Sequence, residues 1–233
     1  MSSTATAAKP FLPAGAREAG VGPGAERLRA RLAWPCHPSG FVLLVRVGNG
    51  ERLSEDEHLA GQLAGAGIGT AMVDLGPRGA ESRGRSDADR LADKVHTAIT
   101  WLRHQPEAAG LPVGCYAAGA GVAAVLAAAA GPSAMEAVVV RGGRPDLVEN
   151  LGAVTAPTLL LAGSRDEAGM TVARAALAKL GGPKRLATIR SAGRRFADAG
   201  ALAGAGRWAA AWFVQHLAME RAWRAARSGV PAC

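Results

Sequence analysis

From Phe41 onward the chain alternates short, β-rich apolar runs with longer segments of helical period. Such runs can be satisfied only when both of their faces are covered, as in a parallel sheet whose crossover helices lie on either side. This pattern predicts an α/β protein: a three-layer α/β/α sandwich with a mostly parallel sheet. Strands are expected at Phe41–Val47, Ile68–Asp74, Pro112–Tyr116, Ala137–Val140, Thr158–Ala162 and Arg185–Ile189. Helices are expected at Glu55–Ala66, Ser86–His104, Val122–Ala130, Thr171–Leu180 and Gly204–Arg227.

The flanks read differently. Residues 1–38 are rich in Ala, Gly and Pro and carry no sustained apolar period, apart from a short helical pattern near Ala25–Leu32, so a flexible or loosely docked leader is expected. Residues 39–217 form the domain, and 218–233 a C-terminal helical extension. In the last helix Trp208, Trp212, Met219 and Trp223 recur near helical spacing beside Arg221, Arg224 and Arg227. Core packing accounts for the first half, and the remainder is a candidate homo-oligomer or partner contact.

At 233 residues the chain can bury a core without disulfides or a structural metal. Its three cysteines include no C-x-x-C pair, and no signal-like or membrane-spanning apolar run stands out, so a cytoplasmic protein is expected. The net charge of +8 raises the question of nucleic acid. However, the arginines scatter without a dense basic block or interleaved aromatics, a pattern of GC-rich bacterial coding that argues against nucleic-acid and membrane partners. No His/Cys/Asp/Glu set shows ligand spacing, so neither a metal nor a cofactor is expected.

The most informative segment joins the Pro112–Tyr116 strand to its helix through Ala117-Ala118-Gly119-Ala120-Gly121. A sharp small-x-nucleophile-x-small turn of this kind is where α/β-hydrolases present their nucleophile. With VVVRGGRPDL (Val138–Leu147) and APTLLLAGSRDE (Ala156–Glu167), the segment resembles the dienelactone-hydrolase-like branch of that superfamily over about Phe41–Leu217, without a large cap. In that family the turn's middle residue is Ser or Cys, an acid follows the strand that begins Ala-Pro-Thr, and a histidine lies in a Gly-x-x-His-x-Phe segment. The resemblance places Gly119 at the nucleophile, Asp166 at the acid and Arg194, two residues before Phe196, at the histidine.

Gly119 has no side chain, and an arginine cannot accept a proton near neutral pH. The resemblance therefore implies a degenerate triad with only Asp166 retained, and a hydrolase-fold pseudoenzyme that binds a small molecule or a protein. The oxyanion-hole loop would be Arg46-Val47-Gly48-Asn49-Gly50, and Arg46, Val47, Ala118, Ala120 and Arg141 would line the vestigial pocket. An Asp166–Arg194 salt bridge is expected where the acid–histidine pair stood. Cys115, inside a strand, reads as a small buried hydrophobe. Asp74 is expected to bond loop amides, and an Arg/Asp pair to fix the Arg141–Asp146 loop.

Two alternatives stand beside this reading. A lyase, cyclase or isomerase could use the remodelled pocket. Gly119-Ala120-Gly121-Val122-Ala123-Ala124 also satisfies G-x-G-x-x-A, a dinucleotide fingerprint, and Arg141 at the next strand end could meet the 2′-phosphate of NADP.

Overall fold

The computed structural model describes residues 14–22, 28–48, 53–76, 85–132 and 135–228. Eight strands form one sheet: β1 (Gly15–Val21), β2 (Leu28–Trp34), β3 (Phe41–Arg46), β4 (Gly69–Asp74), β5 (Val113–Ala118), β6 (Ala137–Arg141), β7 (Thr158–Gly163) and β8 (Lys184–Ile189). Their spatial order is β1-β2-β4-β3-β5-β6-β7-β8. The β3–β4, β3–β5, β5–β6, β6–β7 and β7–β8 pairs are parallel, whereas β1–β2 and β2–β4 are antiparallel. Among the described residues, five α-helices cover the sheet: α1 (Leu53–Gly65), α2 (Arg85–Arg103), α3 (Val122–Ala130), α4 (Glu167–Lys179) and α5 (Ala199–Ser228).

The central strands are buried on both faces, as their continuous apolar runs require. Phe41, Leu43 and Val45 of β3 pack with Leu91, Val95 and Leu102 of α2 and with α3, while Val42 and Leu44 pack with Leu59 and Leu63 of α1 and Phe213 of α5. The three-layer α/β/α sandwich follows from this alternation. By the same two-residue period Arg46, Tyr116, Ala118 and Arg141 belong to the α1/α5 face, at the carboxyl ends of β3, β5 and β6.

The N-terminal expectation is corrected. Residues 15–21 and 28–34 are not a loose leader but a hairpin that extends the sheet, and the helix expected near Ala25–Leu32 is strand β2 where it is described. Leu28 and Leu32 are spaced for a helix, yet Ala30 and Leu32 are buried while Arg29 and Arg31 are exposed, which is the period of a strand. Pairing of Ala30–Ala33 with Thr70–Val73 of β4 decides between the two patterns. At the other end α5 begins five residues before its expected start and runs through Leu217 to Ser228 without a break, so the 217/218 boundary falls inside one helix. The remainder of the leader, residues 1–13 and 23–27, lies outside the described residues.

Candidate functional site

The turn after β5 keeps the conformation of a nucleophile elbow. Ala118 is extended (φ −126°, ψ 145°), Gly119 takes a left-handed φ of 57°, and Gly121 and Val122 then enter the helical region. One turn of 3-10 helix, closed by the Val122 amide donating to the Gly119 carbonyl, leads into α3. A residue other than glycine is strained at that φ, and elbows use the strain to push a side chain out over the sheet. Here nothing is presented. The loop after β6 closes over the turn: a Cβ at Gly143, which itself has φ 78°, would lie 2.4 Å from the Gly119 carbonyl oxygen.

The loops expected at the acid and histidine positions also come together. Arg165 N–H donates to the Ala192 carbonyl at 2.9 Å, and the Ser191 amide donates to Ser164 Oγ at 2.9 Å. Ser191, at the glycine of the family's Gly-x-x-His-x-Phe segment, keeps a left-handed φ of 60°, and Phe196 has φ 51° and is buried.

The side chains on these loops do not form the expected pair. Asp166 is the N-cap of α4, where Oδ1 accepts from the Gly169 amide at 3.0 Å. Arg194 is exposed and makes no ion pair among the described residues. The anticipated Asp166–Arg194 salt bridge is absent among the described residues, because the helix amide satisfies the carboxylate locally and the arginine gains more from water. Beside Asp166, against Gly142, Gly143 and Ala173, lies a crevice of about 10 Å³, room for about one water molecule.

Most of the charge near the elbow lies on the α1/α5 face. Arg141 pairs with Ala118 across the β5–β6 ladder and is 4% exposed. Its Nη2 donates to Glu55 Oε2 of α1 at 2.5 Å, and its guanidinium carbon lies 5.0 Å from the centre of the Phe196 ring. Nε and Nη1 of Arg141 have no hydrogen-bond partner among the described residues. Burial alone would lower the Arg141 pKa, but Tyr116, the hydrogen bond to Glu55 and the charges of Glu55 and Asp56 hold it above the ordinary value. Burial pushes the Tyr116 phenol up, against the opposing pull of Arg141. Alongside, Arg46 Nε lies 3.1 Å from Asp56 Oδ2.

Arg46 and Arg141 are therefore both ion-paired with α1; Arg141 is buried there, whereas Arg46 also borders an open groove of about 660 Å³ along β1 and β2. The signal missed in the sequence was Glu55-Asp56 in the first turn of α1, the turn that follows the β3 loop. Val47 packs partly buried against the α2/α3 side of the core. Ala118 and Ala120 flank the elbow and are half-buried, while Asn49 and Gly50 lie outside the described residues.

Other expectations resolve individually. Arg144 and Asp146 form the loop-fixing pair, with Nη2 2.6 Å from Oδ2, and this pair lowers the Asp146 pKa. Asp74 Oδ1 accepts from the Gly76 amide at 2.9 Å. Cys115 is fully buried, and burial pushes its thiol pKa up, away from the reactive thiolate. The arginine meant to meet the phosphate of NADP is occupied by Glu55, and Gly121 is used to bring α3 against β3, where a Cβ would lie 3.3 Å from the Val45 carbonyl. Among the described residues no group of three or more His, Cys, Asp or Glu side chains could hold a metal, and no helix is long and apolar enough to cross a membrane.

No family model matches the chain. A dienelactone hydrolase from Anabaena variabilis superposes with a TM-score of 0.79 at 34% identity, covering 89% of this chain and 100% of that one. The esterase domain of a Rhodothermus marinus protein gives a TM-score of 0.67 at 17% identity, covering 87% and 99%. Among curated proteins, a Mycobacterium tuberculosis protein whose provisional name is phosphoribosyl transferase, present in two strains, is 38% identical over 193 residues. That match covers 80% of this chain but only 43% of the mycobacterial protein, so the chain spans less than half the length of the curated relatives it matches.

Proposed function

Since the chain belongs to the dienelactone hydrolase family of α/β-hydrolases, we propose that it keeps the family scaffold without the family's serine-hydrolase chemistry and serves to bind a small molecule or a protein. One observation carries this reading: the elbow is built with its left-handed backbone, and the residue at its apex is Gly119. Acyl transfer through this site needs an oxygen or sulfur nucleophile there and a base to take its proton. Arg194 supplies no base, and the Asp166 carboxylate is engaged as a helix cap.

The test is ester hydrolysis with short acyl esters by the wild type and by the Gly119→Ser/Arg194→His double variant. The expected outcome is no saturable turnover by the wild type and weak turnover by the variant. Saturable wild-type turnover that Asp166→Asn abolishes would overturn the reading.

A second reading has its own observation. The Tyr116 phenol, buried among Arg141, Glu55 and Asp56, is the kind of proton-holding group that a lyase or isomerase could use without a covalent intermediate. Phosphoribosyl transfer is not assigned to this chain, which corresponds to under half of the relative bearing that name. Two further elements of the proposal are residence in the cytoplasm and self-association through the exposed Val214, Met219 and Trp223 of α5.

A further inference from the structure

At the far side of the sheet from the hairpin, the end of β8 and the first turns of α5 border an open groove of about 510 Å³, lined by Thr188, Ile189, Arg190, Gly200, Gly204, Arg207, Trp208 and Ala211. That size suits a small organic ligand. It lies at the carboxyl end of a parallel strand, the side of an open α/β sheet where ligands bind.

The charge of this groove is one-sided. Arg190 and Arg207 are exposed and face the same space, and neither makes an ion pair among the described residues. No carboxylate belongs to the lining. The nearest acid along the chain, Asp198, is engaged in capping α5, with Oδ1 accepting from the Ala201 amide at 3.0 Å. Arg185 stands over the Trp208 ring, its guanidinium carbon 4.6 Å from the ring centre, and adds a third cation beside the groove. Arg194 and Arg195 follow on the exposed loop after β8, so the positive potential extends beyond the groove itself.

Two arginines bordering one concavity offer the oxygens of a phosphate group more donors than a single charge does. The rest of the lining suits what a phosphate is attached to. Trp208 supplies an aromatic wall, Thr188 a hydroxyl that can donate or accept, and Gly200, Gly204 and Ala211 a low floor along α5 that lets a ligand approach closely. We propose that this groove binds a phosphate-bearing small molecule with a planar ring, of the nucleoside monophosphate class, with Arg190 and Arg207 holding the phosphate and Trp208 flanking the ring. None of the elbow residues belongs to the lining, so the proposal stands apart from the question of ester hydrolysis.

The experiment is calorimetric titration of the full chain with adenosine 5′-monophosphate, adenosine, and a short single-stranded oligonucleotide. Saturable binding of the monophosphate is expected, with adenosine at least tenfold weaker. Arg190→Ala and Arg207→Ala should each weaken the monophosphate roughly tenfold, while Arg174→Ala on α4 leaves it unchanged. Because Arg190 and Arg207 are exposed and outside any ion pair among the described residues, their variants should fold normally, as melting curves would show. No saturation at millimolar monophosphate would overturn the proposal, as would wild-type affinity in both groove variants. Binding of the oligonucleotide alone, falling steeply with salt, would also overturn it by assigning the face to a polyanion.

Discussion

The centre of this sheet and its β8 edge treat arginine in opposite ways. Beside the elbow, Arg46 and Arg141 end strands β3 and β6, and each meets a carboxylate from the first turn of α1, Asp56 and Glu55 respectively. At the β8–α5 end, Arg185, Arg190, Arg194, Arg195 and Arg207 make no ion pair among the described residues. The difference follows from burial. A guanidinium taken out of water must be compensated, whereas one left in water needs no partner and remains available to a ligand. Among the described residues, the arginines that end β3 and β6 are neutralised by α1, and those around the end of β8 are not.

The sharpest way to break that comparison is Glu55→Ala. It strands the Arg141 charge in a site where two further guanidinium nitrogens already lack protein partners, and should cost about 3 kcal/mol in denaturant unfolding. Arg141→Met, which leaves the more accessible Glu55 to hydrate, should cost less. A loss for Glu55→Ala no larger than for a surface pair would mean that Arg141 is already well solvated.

Next in size is Asp166→Ala, which removes the α4 cap and should cost about 1 kcal/mol. Asp166→Asn, which keeps an acceptor oxygen, should cost much less. In a double-mutant cycle with Arg194→Ala the coupling should be near zero, whereas a coupling of a salt-bridge size would restore the acid–arginine pair.

At the basic end, Arg190→Ala and Arg207→Ala should shift stability by no more than about 0.5 kcal/mol in either direction. A larger loss would show that these arginines are structural after all.

The smallest effect concerns His216, whose ring packs tilted against Trp212 with centres 4.3 Å apart and whose pKa burial lowers. With its folded pKa below the unfolded value of about 6.5, the unfolded chain binds more protons as pH falls through that range. The His216 contribution is therefore present at neutral pH and lost on acidification. His216→Gln should flatten the acid side of the melting temperature–pH curve by a small amount.

Much of this was legible in the residues themselves. The alternation of apolar runs announces a parallel sheet from Phe41 onward, because burying both faces demands it. The proposed loss of nucleophile and base rests on residue identity: no tertiary arrangement gives Gly119 a side chain or makes Arg194 a base at neutral pH. The hairpin was not legible, since Leu28 and Leu32 suit either a helix or a strand and the choice rests on pairing with β4. The end of the domain was not legible either, because α5 crosses Leu217 as one continuous helix.

The sequence by itself determined the layered α/β scaffold and the emptiness of the elbow, both of which rest on local period and side-chain chemistry. Only the tertiary structure decided how the charges are matched. Arg141 and Glu55 stand 86 residues apart in the chain and meet because β6 and the start of α1 end at the same edge of the sheet. Asp166 and Arg194 sit on adjacent loops yet do not pair, because a helix amide three residues from the acid satisfies it first. Proximity in space and competition for partners are properties of the packed fold, which no reading of residues along one dimension contains.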